Sequence, residues 1–417
     1  MNILVVTQYF WPENFRINDL VKGLHERGHT ITVLTGVPNY PSGKFFSGYN
    51  WFRNIRQNYE GIDVIRVPLV PRGKGGSLRL MLNYFSFAFF ASLMGPFLCR
   101  GKFDLIFVYE PSPITVGLPA IVLKKIKRAP VMFWVLDLWP ESLAATGAIK
   151  TKWLLSWVAR LVRFIYRRCD RILAPSRAFT ARIGAMDVDP GKILYFPNWA
   201  EELFQANGET SYQASPVPIP DGFRVMFAGN IGAAQDFGTI LSAAEKLKDY
   251  TDVHWVIVGD GRMYSWVKQE VERRDLSKTV HMLGRHPLEA MPYFFSQADA
   301  MLASLRRALI FSQTIPGKIQ SYLAYGKPII AALEGEGARI VDEAGAGLTC
   351  PPENVVGLVN AVLAMYKKPR HERAAMGKRG KEYYAANFER GMLITRLVRW
   401  MEELNSAHRL AADRAYR

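Results

Sequence analysis

The chain has 417 residues, of which 49% are hydrophobic and 22% are charged. This composition excludes an intrinsically disordered protein, and the length suits two domains of ordinary size. The formal net charge is +16, and residues 1–200 hold most of the excess, with 26 Lys and Arg against 12 Asp and Glu. A half this basic predicts an anionic partner, either nucleic acid or a membrane surface.

The cysteines and the start of the chain indicate the compartment. Cys99, Cys169 and Cys350 lie far apart and form no CxxC pair. This spacing predicts a reducing compartment and no structural metal site. The first residues, MNILVVTQYF, have no basic region before the apolar segment. We therefore expect a strand there rather than a signal peptide.

The first half alternates predicted strands and helices. NILVVT at 2–7 predicts a buried strand, a helix follows over about 14–27, and ITVLTG at 31–36 predicts the next strand. The segments IDVIRVPL, DLIFVYEP, APVMFWVLD and DRILAPS predict further strands. This alternation is typical of an open parallel sheet. The loop after the first strand contains no GxGxxG, which argues against a dinucleotide cofactor.

Two segments of this half predict contact with a membrane. Residues 80–99 contain no charged residue, but polar residues and Pro96 lie within them, so we expect a helix that is partly buried and partly interfacial. Residues 150–171 mix basic and aromatic residues at helical spacing, which is typical of a helix lying on a bilayer. The alternative is a core-packed helix with a basic outer face. Nucleic acid is disfavoured because no recognition motif accompanies the charge. The residues expected at the membrane are Trp153, Trp157, Arg160, Arg163, Arg167 and Arg168.

A polar, proline-containing segment at 205–222 predicts a linker, after which the alternation of strands and helices restarts. The predicted division is an acceptor- and membrane-binding domain at 1–204, the linker at 205–222, and a nucleotide-sugar-binding domain at 223–388. A last helix within 389–417 is expected to return toward the first domain. The predicted fold class is α/β, with two doubly wound Rossmann-like domains.

Three glycine-containing segments of the second half predict a phosphate site. EGEGARIVDEAG at 334–345 places two glycines before a helix start expected at Ala338, where free amides and the helix dipole favour an anion. TIPGKIQSYLAYGKP at 314–328 places Lys318 in a first helical turn, an unfavourable position unless an anion is nearby. AGNIGAAQD at 228–236 is the third segment. The alternatives are a glycine turn that caps a helix and an exposed lysine with no role.

Acidic residues follow two predicted strands of the first half. FWVLDLWPES at 133–142 ends a strand with Asp137 and Glu141, and Glu110 ends the strand in VYEPSP. A carboxylate at a strand end can accept or orient the proton of a substrate hydroxyl. The four-residue spacing predicts that Asp137 and Glu141 share a helix face. The alternative role for Asp137 is the N-cap of a helix beginning at Trp139–Pro140.

These segments, in this order, resemble the family 4 glycosyltransferases, which have the two-domain GT-B fold. The resemblance rests on RGHTITVLTG, CDRILAPS, KILYFPNW, VMFAGNIG, WVIVGDG and the pattern P-x-K-x-x-x-Y-x-A-x-G-K-P followed by GEGAR. QYFWPENFR, DLWPES, IPGKIQSYLA and GEGARIV are similar, more narrowly, to bacterial O-antigen and capsule transferases of the L-fucosamine type.

The resemblance implies a retaining, metal-independent enzyme without a cofactor, with a UDP-sugar as donor substrate. The acceptor would be a hydroxyl of a lipid-diphosphate-linked glycan, at the cytoplasmic face of the bacterial inner membrane. Residue by residue, it assigns donor contacts to Asn14, Arg16, Gly229, Asn230, Gln235, Gly259, Gly284, Arg285, Lys318, Ser321, Gly335, Glu336, Gly337, Ala338 and Arg339. The catalytic candidates are Asp137, Glu141 and Glu110.

Two departures from the family pattern leave other functions open. Gln313 and Ser321 stand where the family has a pair of glutamates, and Asn230 and Gln235 stand where it has a basic pair. The alternatives are a sugar-nucleotide epimerase with the same fold and an inactive, membrane-associated scaffold that binds sugar nucleotides.

Overall fold

The structure is a computed structural model that describes residues 1–73, 76–145, 149, 151–205 and 218–416. Within these residues the chain forms two compact units. The first comprises Met1–Phe196 with Gly391–Arg417, and the second comprises Pro197–Arg390. The first unit thus ends before residue 204, and most of the predicted linker, at 206–217, lies outside the described residues.

The first unit is built on a sheet whose described strands number eight, in the order β3-β4-β2-β1-β5-β6-β7-β8. β3 is antiparallel to β4, and the other neighbours are parallel. The strands are β1 Asn2–Val6, β2 Thr30–Gly36, β3 Arg56–Tyr59, β4 Ile62–Val67, β5 Leu105–Glu110, β6 Val131–Val135, β7 Arg171–Ala174 and β8 Ile193–Tyr195. Every residue of β5 and β6 is buried, as expected for parallel strands covered on both faces.

Helices connect these strands. They are α1 Arg16–His25, α2 Ser77–Leu98, α3 Gly117–Lys127, α4 Glu141–Ala145, α5 Lys152–Arg168 and α6 Arg177–Gly184. The connections β4 to β5, β5 to β6 and β6 to β7 all run in one direction along the sheet. Because such crossovers are right-handed, α2, α3 and α5 lie on one face of the sheet. α2 packs against α3, and α3 against α5.

The second unit has a parallel sheet of six described strands, in the order β11-β10-β9-β12-β13-β14. The strands are β9 Phe223–Ala228, β10 Val253–Val258, β11 Val280–Gly284, β12 Ala300–Ser304, β13 Ile329–Ala332 and β14 Gly347–Cys350. The helices are α7 Phe237–Lys246, α8 Tyr264–Arg273, α9 Met291–Gln297, α10 Leu309–Gln313, α11 Gly317–Tyr325, α12 Glu336–Glu343, α13 Val355–Lys367 and α14 Arg370–Asn387. Two apolar cores cover the two faces of this sheet.

The last helix, α15 Arg390–Tyr416, belongs to the first unit from Gly391 onward. It is anchored there by an ion pair between Arg409 and Asp104 and by an edge-to-face contact between Trp400 and Phe196. The predicted α/β class with two Rossmann-like sheets is confirmed.

Candidate active site

Glycines hold three strand ends of the second unit close together. The Gly229 amide donates to the Val258 carbonyl at 2.9 Å, and the Gly259 amide donates to the Gly284 carbonyl at 2.7 Å. Gly229 and Gly259 have φ values of +132° and +140°, and a Cβ atom on Gly259 would lie 1.9 Å from the Gly229 carbonyl oxygen. Only glycine fits there, so bare backbone lines the carboxyl edge of this sheet.

Lys318 lies beneath this glycine edge, in the first turn of α11. Its Cε atom would be 2.7 Å from a Cβ atom on Gly229, and its Nζ atom is 3.5 Å from the centroid of the Phe227 ring. The Nζ atom is buried and has no hydrogen-bond partner among the described residues. Burial lowers the pKa of Lys318 to about 7. A buried ammonium without a partner is unfavourable, so this position favours an anionic ligand.

Two cavities of the second unit open on this edge. The larger, about 680 Å³, is lined in part by Gly229, Arg285, Lys318 and Ser321. The smaller, about 400 Å³, is lined by Gly229, Asn230, Gly259 and Arg285 among others. Six of the sequence-predicted donor residues therefore border the same space. Sequence reasoning missed the rest of the wall, which includes Phe204, His286, Leu288, Met291, Phe295 and Tyr322.

The GEGAR loop packs against the entry to α11 rather than lining these cavities. Helix α12 begins at Glu336, before the predicted start at Ala338. Gly335 has φ +75°, and a Cβ atom on it would lie 1.9 Å from the Ser312 carbonyl oxygen. A Cβ atom on Gly337 would lie 3.0 Å from Pro316 Cδ. The glycines thus allow the first turn of α12, with Ala338, to pack beside the first turn of α11.

Two residues assigned to the donor also have partners within the protein. Arg339 forms ion pairs with Glu336 and Glu343, both at 2.6 Å, so its charge is already compensated within α12. The Gln235 side-chain oxygen accepts from the Gly232 amide at 3.0 Å and caps a short helical turn. In this structure Arg339 links carboxylates along α12, and Gln235 stabilises local backbone.

Ser321 and Gln313, which replace the family's glutamates, have different settings. Ser321 borders the larger cavity, and its hydroxyl donates to the Gly317 carbonyl at 3.2 Å. Gln313 is buried at the end of α10. Only Ser321 faces the space beside Lys318.

The three acids of the first unit differ in exposure. Glu110 has no exposed surface, and burial raises the pKa of its carboxyl well above the ordinary value, with the charge of Asp137 adding to the effect. Asp137 is half-buried, and its carboxylate accepts from Trp139 Nε1 at 3.0 Å. Burial also raises the pKa of Asp137, opposed by hydrogen bonds from Ser142, Trp139 and Ser112. Of these two acids only Asp137 reaches the surface.

Glu141 does not share a helix face with Asp137. Helix α4 begins at Glu141, so Asp137 lies outside the helix and is not its N-cap. Glu141 is instead paired with Arg182, with 2.5 Å between Oε1 and Nη2. The expectations of a shared face and of an N-cap are therefore both wrong, and Glu141 holds α4 to α6.

Asn14 and Arg16 belong to the first unit. Asn14 is exposed in the loop after β1, and Arg16 is the first residue of α1, next to the buried hydroxyl of Tyr109. Lys318 belongs to the second unit, so the three predicted donor residues are divided between the two units.

An exposed apolar stripe follows the outer side of α2. Its members recur every three or four residues, and Phe89 and Phe97 are exposed by 62% and 76%. The stripe consists of Leu78, Met81, Leu82, Phe85, Phe89, Leu93 and Phe97. Leu78–Leu98 is long and apolar enough to cross a membrane, and 33% of its most apolar segment is buried. The inner side of α2 packs on the sheet through Asn83, Tyr84 and Phe87.

The outer side of α5 also exposes aromatic residues. Trp153 and Trp157 are exposed by 66% and 60%, and Arg160 lies over the Trp157 ring. Arg167 pairs with Asp187, and Arg168 stacks on Phe164. Arg160, Arg167 and Arg168 are exposed, whereas Arg163 is half-buried.

The described parts of the chain contain no group of three or more His, Cys, Asp or Glu residues suited to hold a metal.

Two α/β sheets, one of them edged with glycines around a buried lysine, agree with the matches to known families, which identify the chain as a glycosyltransferase. Residues 14–199 match the family described as glycosyl transferase 4-like domain, and residues 222–368 match glycosyl transferases group 1. Together with the relatives described next, these matches establish that the chain belongs to the family 4 glycosyltransferases.

Two relatives are bacterial glycosyltransferases. The probable glycosyltransferase WbjE of Pseudomonas aeruginosa is 32% identical over 240 residues, which are 55% of this chain and 58% of WbjE. The match thus spans little more than half of that relative. The putative colanic acid biosynthesis glycosyl transferase WcaI of Escherichia coli is 24% identical over 90% of this chain and 94% of WcaI.

A solved structure shows the same fold. HepE of Anabaena, crystallised in complex with UDP and glucose, aligns with a TM-score of 0.67 and 14% identity. The alignment covers 96% of this chain and 99% of HepE. The predicted GT-B fold is confirmed.

Proposed function

We propose that this protein transfers a sugar from a UDP-sugar to a hydroxyl of a lipid-diphosphate-linked glycan during synthesis of a bacterial surface polysaccharide. The observation that supports it most is the buried Lys318 side chain at the glycine edge of the second unit, whose Nζ atom has no hydrogen-bond partner among the described residues. A diphosphate bound there would supply the missing negative charge. The names of WbjE and WcaI and the UDP bound to HepE support the same reaction class.

Lys318 would stabilise the leaving diphosphate as negative charge develops on it. A buried cation in a site of low dielectric constant stabilises such charge more strongly than an exposed one. The backbone of Gly229 and Gly259 would border the ligand, and Arg285 would supply a second, exposed cation at the cavity wall. We propose that the sugar is transferred with retention of anomeric configuration.

Asp137 is our candidate for orienting the acceptor hydroxyl or accepting its proton. It is the acid of the Glu110–Asp137 pair that reaches the surface, whereas burial raises the pKa of the fully buried Glu110 well above its ordinary value. Because burial disfavours the charged form, the more exposed Asp137 is the better candidate for a carboxylate that acts on the acceptor. Glu110 is therefore better described as a positioning residue than as a catalytic one.

The apolar stripe of α2 and the aromatic, basic outer side of α5 support a peripheral position on the cytoplasmic face of the inner membrane. Helices that expose Trp, Phe and Arg side by side suit the headgroup region of a bilayer. A lipid-linked acceptor would be met at that surface.

The test is a screen of UDP-sugars against a lipid-diphosphate-linked N-acetylglucosamine, with products read by mass spectrometry and the anomeric configuration by NMR. We expect a transfer product with one of the UDP-sugars, with full activity in EDTA. Loss of activity in EDTA and its recovery with Mn²⁺ would contradict the metal-independent reaction. An epimerised donor without acceptor would favour the epimerase, and UDP-sugar binding without turnover on any acceptor would favour the scaffold.

A further inference from the structure

Arg72 is a cation of the first unit that lies outside every ion pair among the described residues. Its guanidinium carbon lies 5.1 Å from the centroid of the Tyr40 ring and 5.9 Å from that of Tyr9. One guanidinium nitrogen donates to the Tyr9 hydroxyl at 3.3 Å, and the Arg72 amide donates to Asn39. The side chain is thus held in place while most of its donors remain available.

Arg79 lies near Arg72, at the start of α2. Its Cδ atom would be 2.7 Å from a Cβ atom on Gly73, and its Nε atom donates to the Pro71 carbonyl at 3.3 Å. Arg79 is exposed and, like Arg72, has no acidic partner in the part of the chain that the structure describes. Two uncompensated arginines therefore flank the segment that leads into α2.

Aromatic side chains connect Arg72 to Asp137. The Tyr9 hydroxyl interacts with that of Tyr84, which is also close to the charges of Arg72 and Asp137. The ring of Tyr84 lies 6.1 Å from that of Trp139, whose indole nitrogen donates to Asp137. A wall of three aromatic rings thus separates the cation from the acid on the same edge of the sheet.

The position of α2 places these arginines at one end of the exposed apolar stripe. Tyr84 lies on the inner side of the helix, whereas Leu82 and Phe85 lie on the outer, exposed stripe. Arg72 and Arg79 are at the end of α2 where the stripe meets the strand ends. A lipid-linked substrate has the same order of groups: an apolar chain, then a diphosphate, then a sugar.

We propose that Arg72, assisted by Arg79, binds the diphosphate of the lipid-linked acceptor, while the buried Tyr9, Tyr84 and Trp139 hold Arg72 and Asp137 at a fixed separation from beneath the acceptor sugar. The inference rests on the proposed function and extends it by assigning the acceptor diphosphate to particular residues. Arginine suits this task because its planar fork binds phosphate oxygens in pairs.

The test compares two acceptors on the full chain: an N-acetylglucosamine carried on a lipid diphosphate, and an alkyl glycoside of the same sugar without phosphate. We expect Arg72→Gln to raise the KM for the diphosphate acceptor at least tenfold, while the KM for the alkyl glycoside and the Kd for UDP stay within twofold. Arg79→Gln should have a smaller effect in the same direction. Arg72→Lys should restore part of the KM, which separates lost charge from a folding defect.

The matched control is Arg100→Gln, at the far end of α2 and also exposed beside the stripe. It should change neither KM. If Arg72→Gln leaves the diphosphate KM unchanged, or raises both KM values equally, the inference is overturned. Two further results together would also overturn it: Arg72→Gln and Arg100→Gln weaken binding to phosphatidylglycerol vesicles equally, and the KM effect disappears in neutral detergent. The arginines would then recognise phospholipid headgroups rather than the acceptor.

If the wild-type protein transfers to neither acceptor from any UDP-sugar, the proposed function fails instead.

Discussion

The carboxyl edge of the sheet in the second unit is built from backbone, whereas that of the first unit is built from side chains. In the second unit Gly229 and Gly259 let strand ends touch, and Lys318 supplies a single buried cation. In the first unit Tyr9, Tyr84, Trp139 and Arg72 fill the corresponding edge. Backbone suits a ligand group that is the same in every reaction, such as a diphosphate, whereas side chains suit an acceptor that differs between enzymes.

The largest effect is expected from removing the buried lysine of the second unit. Lys318→Met should weaken UDP binding by about 100-fold, because a charged contact between buried groups is worth roughly 2–5 kcal/mol. The same change should increase the free energy of unfolding by about 1–3 kcal/mol, since an apolar side chain replaces a buried amine that has no hydrogen-bond partner among the described residues. Calorimetric titration and chemical denaturation measure the two effects.

Lys327→Met is the matched control for that variant. The Lys327 ammonium donates to the Ser296 and Ala298 carbonyls at 2.9 and 2.7 Å, so its charge is compensated by the protein. This variant should lose stability and keep UDP affinity. Equal stability losses in both variants would show that Lys318 is structural.

The second prediction concerns the acid of the first unit. Asp137→Asn should lower kcat by about 100-fold or more, as expected for loss of a general base, and leave the Kd for UDP unchanged. The control is Asp189→Asn, at a surface turn where the Asp189 carboxylate accepts a hydrogen bond from the Gly191 amide. This variant should leave kcat unchanged. If Glu110→Gln lowered kcat by about 100-fold and Asp137→Asn did not, the roles of the two acids would be reversed.

More of the carboxyl edge of the second sheet, which is built from backbone, could be predicted from the sequence than of the first sheet's edge, which is built from side chains. The glycines and Lys318 are recognisable because each has one physical reason for its place, a positive φ or a buried charge near phosphate. The ion pairs of Arg339 with Glu336 and Glu343 were not predicted, because they depend on a competition between side chains along α12. Asp137 and Glu141 looked alike in DLWPES, and only the start of α4 and the position of Arg182 separate them.

Arg72 gave no signal in the sequence at all. Its partners Tyr9 and Tyr40 come from two different loops, and the sheet order that joins these loops cannot be read from residue spacing. The apolar character of residues 80–99 was visible, whereas the division of α2 into a packed side and an exposed side required the fold.

A third prediction tests the outer face of the first unit. Replacing both Phe85 and Phe89 by Ser should reduce partitioning onto lipid vesicles by about tenfold or more, because burying a phenylalanine contributes roughly 1.5–3 kcal/mol. Vesicle sedimentation measures this. Val356→Ser, at a residue of the second unit that is also 60% exposed, should leave partitioning unchanged. Unchanged partitioning of the double variant would show that α2 does not contact the bilayer.

The smallest effect is expected from the GEGAR loop. Gly337→Ala adds a methyl group 2.9 Å from Leu333 Cδ1 and 3.0 Å from Pro316 Cδ, so the Leu333 side chain and the Pro316 ring must move to accommodate it. We expect a loss of stability of about 1–3 kcal/mol, typical of overpacking, and a fewfold rise in the Kd for UDP. Gly317→Ala, which meets no atom within 4 Å, is the control. A Kd rise as large as that of Lys318→Met would mean that this loop, rather than Lys318, dominates diphosphate binding.

Proton uptake on UDP binding tests the assignment of the diphosphate to Lys318 most directly. Burial lowers the pKa of Lys318 to about 7, so at pH 8 the side chain is mostly neutral without ligand, and a bound diphosphate raises this pKa again. Binding at pH 8 should then take up about one proton per UDP, and affinity should fall as pH rises above 7, by up to about tenfold per pH unit. Calorimetry in two buffers of different ionisation enthalpy should show this uptake in the wild-type protein and none in Lys318→Met. Binding without proton uptake, or equal uptake in both proteins, would contradict the account.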